Sequence, residues 1–251
     1  MKKIISKMRT WKADEIIANL IRMLLLLSFL VSILNINYMD AFIAAFTLFL
    51  TFLPSMITRK RHINLPPSFQ VVIILFIFAA NYLGELKLYY ERYWWWDKML
   101  HALSGLMLGF AGYLFVYIIN REKKLKVSLS PLFIAMFSFT FALSIGTLWE
   151  IYEYIADSFF GFNMQRSGLV DTMRDLIIDA ISAFIASFAC YVYEKNKADG
   201  IIKRIFTNFV KFNRSLFDED NMSIEKNKLS EINRRNIELN NVEPNKNKLS
   251  K

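Results

Sequence analysis

Six long apolar runs between residues 16 and 193 constrain this chain more than any other feature of its sequence. Unpaired backbone groups are intolerable in hydrocarbon, so a run long enough to cross a bilayer must close its hydrogen bonds internally as a helix, which takes about 20 residues for a core of roughly 30 Å. The runs are Ile16 to Leu34, Tyr38 to Ile57, Phe69 to Leu83, Met99 to Ile119, Leu129 to Ala156 and Asp175 to Tyr193. The third is the shortest, and Pro66 and Pro67 suit the first turn of a helix that starts slightly earlier. The expected fold is therefore an all-α, polytopic bundle of about six spans.

Four segments follow from this pattern: a basic N-terminus over 1–15, a membrane domain over 16–195, an amphipathic helix over 196–217 and a disordered tail over 218–251. The N-terminal positives Lys2, Lys3, Lys7, Arg9 and Lys12 precede an apolar run too long for a signal peptide and without a small-x-small cleavage site, so the run reads as an uncleaved span. In the fourth segment, Asn- and Lys-rich sequence lacks an apolar period. Between them, Ile201, Ile202, Ile205, Phe206, Phe209 and Phe212 recur at helical spacing with Lys203, Arg204 and Lys211 interleaved, which predicts a helix lying on an anionic leaflet.

The formal net charge of +9 does not point to nucleic acid, because the positives sit in short clusters between the apolar runs. Arg59, Lys60 and Arg61 fill one loop, Arg121, Lys123, Lys124 and Lys126 a second, and Lys195 and Lys197 follow the last span. By the positive-inside rule these loops and both termini are cytoplasmic. Trp94, Trp95 and Trp96 then form an aromatic belt on the outer side. The single cysteine, Cys190, excludes an intramolecular disulfide and reads as apolar filler. His62 lies in a basic loop and receives no role.

Ionisable residues are costly within a span and usually face a partner or a wet cavity. Here they gather in the last three spans: Asp97 and His101 four apart, Glu150 and Glu153 three apart, and Asp171, Asp175 and Asp179 at successive fours. Each set occupies one helical face. Counted at 1.5 Å per residue from the span ends, the three sets reach similar depths, roughly one to two turns below the outer surface. Six carboxylates so placed cannot all stay ionised alone, since burial and like charge both penalise the charged form. A metal ion, protons, or Lys98, Arg166 and Arg174 must compensate them.

An oxygen-rich set with one imidazole suits Mg²⁺, Mn²⁺, Zn²⁺ or Fe, acting on a lipid-linked or phosphate-bearing substrate at the outer leaflet. In that reading Asp97, His101, Glu150, Glu153, Asp175 and Asp179 are metal ligands, with Glu150 and Asp175 catalytic and Arg166, Lys98 and Asp171 binding substrate. The bland readings stand beside it. Asp97 suits an N-cap, Asp171 and Asp175 suit the first turn of a helix, and His101 suits a satisfied core histidine. A polar cluster that only holds spans together, as in an envelope accessory protein, and a cation or proton transport site are the competing functions.

The strings N-Y-L-G-E at Asn81 to Glu85, W-D-K-M-L-H-A-L-S-G at Trp96 to Gly105, W-E-I-Y-E at Trp149 to Glu153 and D-T-M-R-D-L-I-I-D at Asp171 to Asp179 resemble the YjdF-type family of uncharacterised bacterial membrane proteins. The resemblance covers approximately residues 80 to 195 and implies a bacterial cytoplasmic membrane. More distantly, the layout is similar to the VanZ-like family, whose link to low-level teicoplanin resistance implies an envelope role. Glu153, Asp179 and Ser182 depart from the VanZ-like pattern.

Overall fold

The computed structural model describes residues 2–56, 64–121, 129–197 and 199–213. The loop positives Arg59, Lys60, Arg61, Lys123, Lys124 and Lys126, His62, and the tail 218–251 lie outside the described residues.

Among the described residues, six helices are long and apolar enough to cross a membrane, in the order the sequence predicts. Helix α1, Lys2–Leu34, runs back through the basic N-terminus, and its apolar part begins at Ala13. Helix α2, Tyr38–Leu50, is capped by Asn37, whose side chain accepts the Asp40 backbone N–H at 3.3 Å. Helix α3, Pro67–Ile77, starts after Pro66 and passes into a π-helical segment, Phe78–Leu86. A one-turn helix, α4 (Tyr89–Arg92), then leads to α5, Trp96–Arg121. Helix α6, Pro131–Phe160, opens on Ser130, which accepts the Phe133 N–H at 3.2 Å, and closes on Gly161 at φ 69°, the left-handed position that favours glycine. Helix α7 spans Leu169–Asn196 and α8 spans Ile201–Phe212.

The spans pack as two three-helix groups. In the first, Ala18, Ile21 and Leu25 of α1 meet Ile74 and Tyr82 of the third span, with Leu48 of α2 alongside. In the second, α5, α6 and α7 approach closely because α5 presents glycines to its neighbours. A methyl built at Gly105 would stand 2.0 Å from Ser182 Oγ, and one at Gly109 2.7 Å from Ala186 Cβ. Small residues let membrane helices pack this tightly where lipid supplies no hydrophobic drive between them.

Helix α8 corrects one expectation. Its apolar side does not lie wholly on a leaflet: Phe206 and Phe209 are buried against Tyr113, Leu114, Val116, Ile134 and Cys190. Asn213, fully buried, accepts the Asn64 backbone N–H at 2.6 Å and donates to the Asn64 carbonyl at 2.8 Å. The helix thus straps the segment before α3 to the second group. Leaflet contact is left to its remaining face, where Ile201 is exposed.

The aromatic belt also needs a correction. Trp94 is 84% exposed, but Trp96 is buried, its ring edge-on to Tyr89 at 4.9 Å. Only the first two tryptophans are placed for an interface.

Candidate metal centre

The three acidic sets converge at the end of the second group that carries Trp96. Helix α7 turns Asp171, Asp175 and Asp179 inward as one buried stripe, and α6 buries Glu150 and Glu153. Asp97 and Lys98 lie in the first turn of α5, with His101 one turn further and buried. The depth argument from helical rise is thereby met in three dimensions. Gly146 of α6 makes room for the deepest acid, since a methyl there would stand 2.4 Å from Asp179 Oδ2.

Two layers can be distinguished. In the outer layer Lys98 Nζ donates to Asp97 Oδ2 at 3.1 Å, Asp171 Oδ1 at 2.5 Å and Asp175 Oδ2 at 3.0 Å. Lys98 and Asp171, both expected to bind substrate, pair with each other within the bundle. In the inner layer the His101 ring is the hub: Nδ1 stands 3.2 Å from Asp179 Oδ2, while Nε2 stands 3.5 Å from Glu150 Oε1 and 3.8 Å from Asp97 Oδ1.

Sites differ in how well their polar atoms are satisfied, and this one is poorly satisfied. Both oxygens of Glu150, Asp175 Oδ1 and Asp179 Oδ1 are buried with no hydrogen bond of good geometry among the described residues. Thr172 stands near Glu150; its hydroxyl accepts from Gln165 Nε2 at 2.6 Å and keeps its own proton to donate toward that carboxylate. A buried carboxylate oxygen without a donor is expensive, so such groups imply a missing positive partner. Two triads place one ligand atom each within 4.8 Å of the others: Asp97, His101 and Asp175, and His101, Glu150 and Asp179.

The imidazole can serve only one side as a ligand. With Nδ1–H donated to Asp179, the Nε2 lone pair faces Asp97 and Glu150, the arrangement in which a carboxylate behind a histidine fixes its tautomer for metal binding. In that tautomer Asp179 orients the ring; in the other, its carboxylate stands with Glu150 as one of the atoms grouped around His101.

Glu153 is not brought into either triad. Its Oε1 accepts Trp149 Nε1–H at 2.8 Å, one helical turn away. Arg166 also stands apart from the ligand atoms, exposed on the loop between α6 and α7, with its guanidinium 5.3 Å from the centre of the Tyr90 ring. That loop is organised by Asp157, which accepts the backbone N–H groups of Met164 and Gln165 at 2.7 and 2.8 Å. Sequence reasoning missed Tyr90 and Asp157, although an Asp followed closely by Gly161 is a usable sign of a side chain closing a turn.

Fold and site together define a six-span helical membrane protein with an ionic cluster buried in its second half. The chain belongs to the family described as "Predicted membrane protein (DUF2238)", whose model matches residues 17–196. This is the family of the YjdF-type proteins, so the resemblance carried by the four strings holds across all six spans. The more distant VanZ-like resemblance is not shown by that match. An uncharacterised protein of Thermotoga maritima is 26% identical over 144 residues, which cover 57% of this chain and 71% of the relative. No solved structure matches.

Proposed function

We propose that this protein is a metal-dependent hydrolase or transferase of the bacterial cytoplasmic membrane, with both termini cytoplasmic and its site at the outer leaflet. Its substrate is a lipid-linked or phosphate-bearing envelope component. One observation supports the reading: among the described residues, buried oxygens of Glu150, Asp175 and Asp179 without a hydrogen bond of good geometry gather around the buried imidazole of His101. The orientation rests on the basic loops and the positive-inside rule.

His101 Nε2, Asp97, Asp175 and Glu150 would hold the ion, with Asp179 fixing the ring. A divalent ion in such a set lowers the pKa of bound water and polarises a phosphoryl oxygen. Glu150 would take the proton of the attacking water on the oxygen not used for the ion, as the water oxygen adds to phosphorus. The P–O bond to the leaving alcohol breaks, and the same carboxyl returns the proton to the departing oxygen.

Metal analysis of the detergent-purified protein beside Glu150→Gln tests this directly. We expect a stoichiometric divalent metal in the wild type and its loss in the variant. Protein without metal, whose thermal stability ignores both divalent ions and chelator, would overturn the reading.

The accessory-protein reading keeps one observation in its favour: Lys98 already neutralises part of the outer layer through three carboxylates. It predicts that Glu150→Gln and Asp179→Asn preserve both folding and cellular phenotype. The transport reading meets the aromatic packing of Tyr113, Phe206 and Phe209 at the opposite end of the second group.

A further inference from the structure

Beside the candidate metal centre, two neighbouring segments and a loop remote from them in sequence meet at one aromatic ring. Tyr90 belongs to α4, between the third and fourth spans. Its ring lies directly on Gly84 of the π-helical segment, where a built methyl would stand 2.3 Å from Tyr90 Cε2. A π-helical turn widens the backbone spiral, and such turns recur at functional sites. Here the turn, together with the missing side chain at Gly84, is what lets the ring sit down. Over the same ring lies the Arg166 guanidinium from the loop between α6 and α7.

The stacked arginine has unused donors. Among the described residues no carboxylate forms an ion pair with Arg166, although the charge of Glu85 is close enough to act on it. A guanidinium over an aromatic ring can still offer its edge donors, and their planar fork matches two oxygens of a phosphate. Tyr90 adds a hydroxyl donor. Burial, and after it the negative charges of Asp97, Glu85 and Glu153, push the phenol well above its ordinary pKa, so it keeps its proton at any physiological pH. Two of those charges belong to the acidic sets around His101, which sets the ring at the edge of the metal centre.

From this geometry we infer that Arg166 and Tyr90, seated on Gly84, form an anion subsite that holds a phosphate group of the substrate beside the metal centre. The inference names the substrate chemistry of the proposed site and rests on the metal reading, because a bound cation offsets the repulsion between phosphate and the carboxylates. Neither residue coordinates the ion. Their task is to hold and orient the phosphate.

The test uses full-length protein in a zwitterionic detergent with Mg²⁺, titrated calorimetrically with dihexanoyl phosphatidic acid and, separately, with inorganic phosphate. We expect the wild type to bind at least one probe, and Arg166→Gln and Tyr90→Phe each to weaken it about tenfold or more, the loss of one hydrogen bond to a charged group. Metal content stays at the wild-type level in both variants, unlike Glu150→Gln. Binding of the short-chain lipid alone identifies a lipid headgroup as the source; binding of both probes identifies the phosphate itself as sufficient. Unchanged affinity in Arg166→Gln, or no binding of either probe by the wild type, overturns the subsite. If the protein holds no metal and still binds phosphate in an Arg166-dependent way, the metal reading falls and the subsite stands.

Discussion

The two halves of this protein look alike to a hydropathy scale and differ completely inside. Mean hydropathy is 2.3, 1.6 and 1.8 for the first three spans and 1.9, 1.8 and 1.9 for the last three. The first half closes on Ile21, Leu25, Ile74 and Tyr82, and its buried Thr47 and Thr51 hydroxyls are satisfied by carbonyls of their own helix. In the second half, the equivalent interior holds Glu150, Glu153, Asp171, Asp175, Asp179 and His101. The average over a span reports what lipid must solvate, whereas the charged groups sit on the narrow stripe turned into the bundle.

The sharpest way to break this comparison is to remove the counter-ion of the second half. Lys98→Met leaves Asp97, Asp171 and Asp175 without their shared ammonium, and we expect a loss of about 3–5 kcal/mol. Lys87→Met in the first half removes only a cation–π contact to Tyr82, worth about 0.5–1 kcal/mol at an exposed site. Thermal unfolding in detergent compares the two, and equal losses would erase the distinction between the halves.

Truncating Phe209 to Ala removes a side chain that is 2% exposed from the packing of α8, at a cost of about 3 kcal/mol. Hydrogen exchange should then rise across 201–212 and around Asn64. If exchange rises nowhere and only vesicle binding weakens, α8 serves the leaflet rather than the bundle.

Gly146→Ala pushes on Asp179 from the neighbouring helix, and overpacking of this kind costs about 1–3 kcal/mol. It should also lower metal occupancy while leaving every candidate ligand in place, a separation that metal analysis of the purified variant can read. The first half again gives a small effect. There Arg22 donates to the Thr51 hydroxyl at 3.3 Å and carbonyl at 3.0 Å, and Arg22→Gln should cost only about 1 kcal/mol in the same unfolding assay.

Much of this arrangement was legible beforehand, for physical reasons that also mark its limits. The spans were readable because each must satisfy its own backbone, and the largest misplacement was at α7, which begins at Leu169 rather than near Asp175. An Asp-rich start depresses hydropathy even where the residues are helical and buried. Convergence of Asp97, His101, Glu150 and Asp175 followed from helical period and depth alone. Partner choice did not. That Glu153 is taken by Trp149, or that Lys98 is spent on Asp171, depends on the rotation of each helix about its axis, which spacing along one chain does not fix. The π-helical segment was unreadable for a related reason, since one residue inserted into a turn leaves no compositional mark.

The clasp between Asn64 and Asn213 joins residues 149 positions apart. A chain made from its N-terminus therefore has every span in existence before that contact becomes possible, and the two three-helix groups must each hold together through synthesis without it. The strap between the groups is thus made after the six spans it joins: α8 can lock the halves together only once all of them exist.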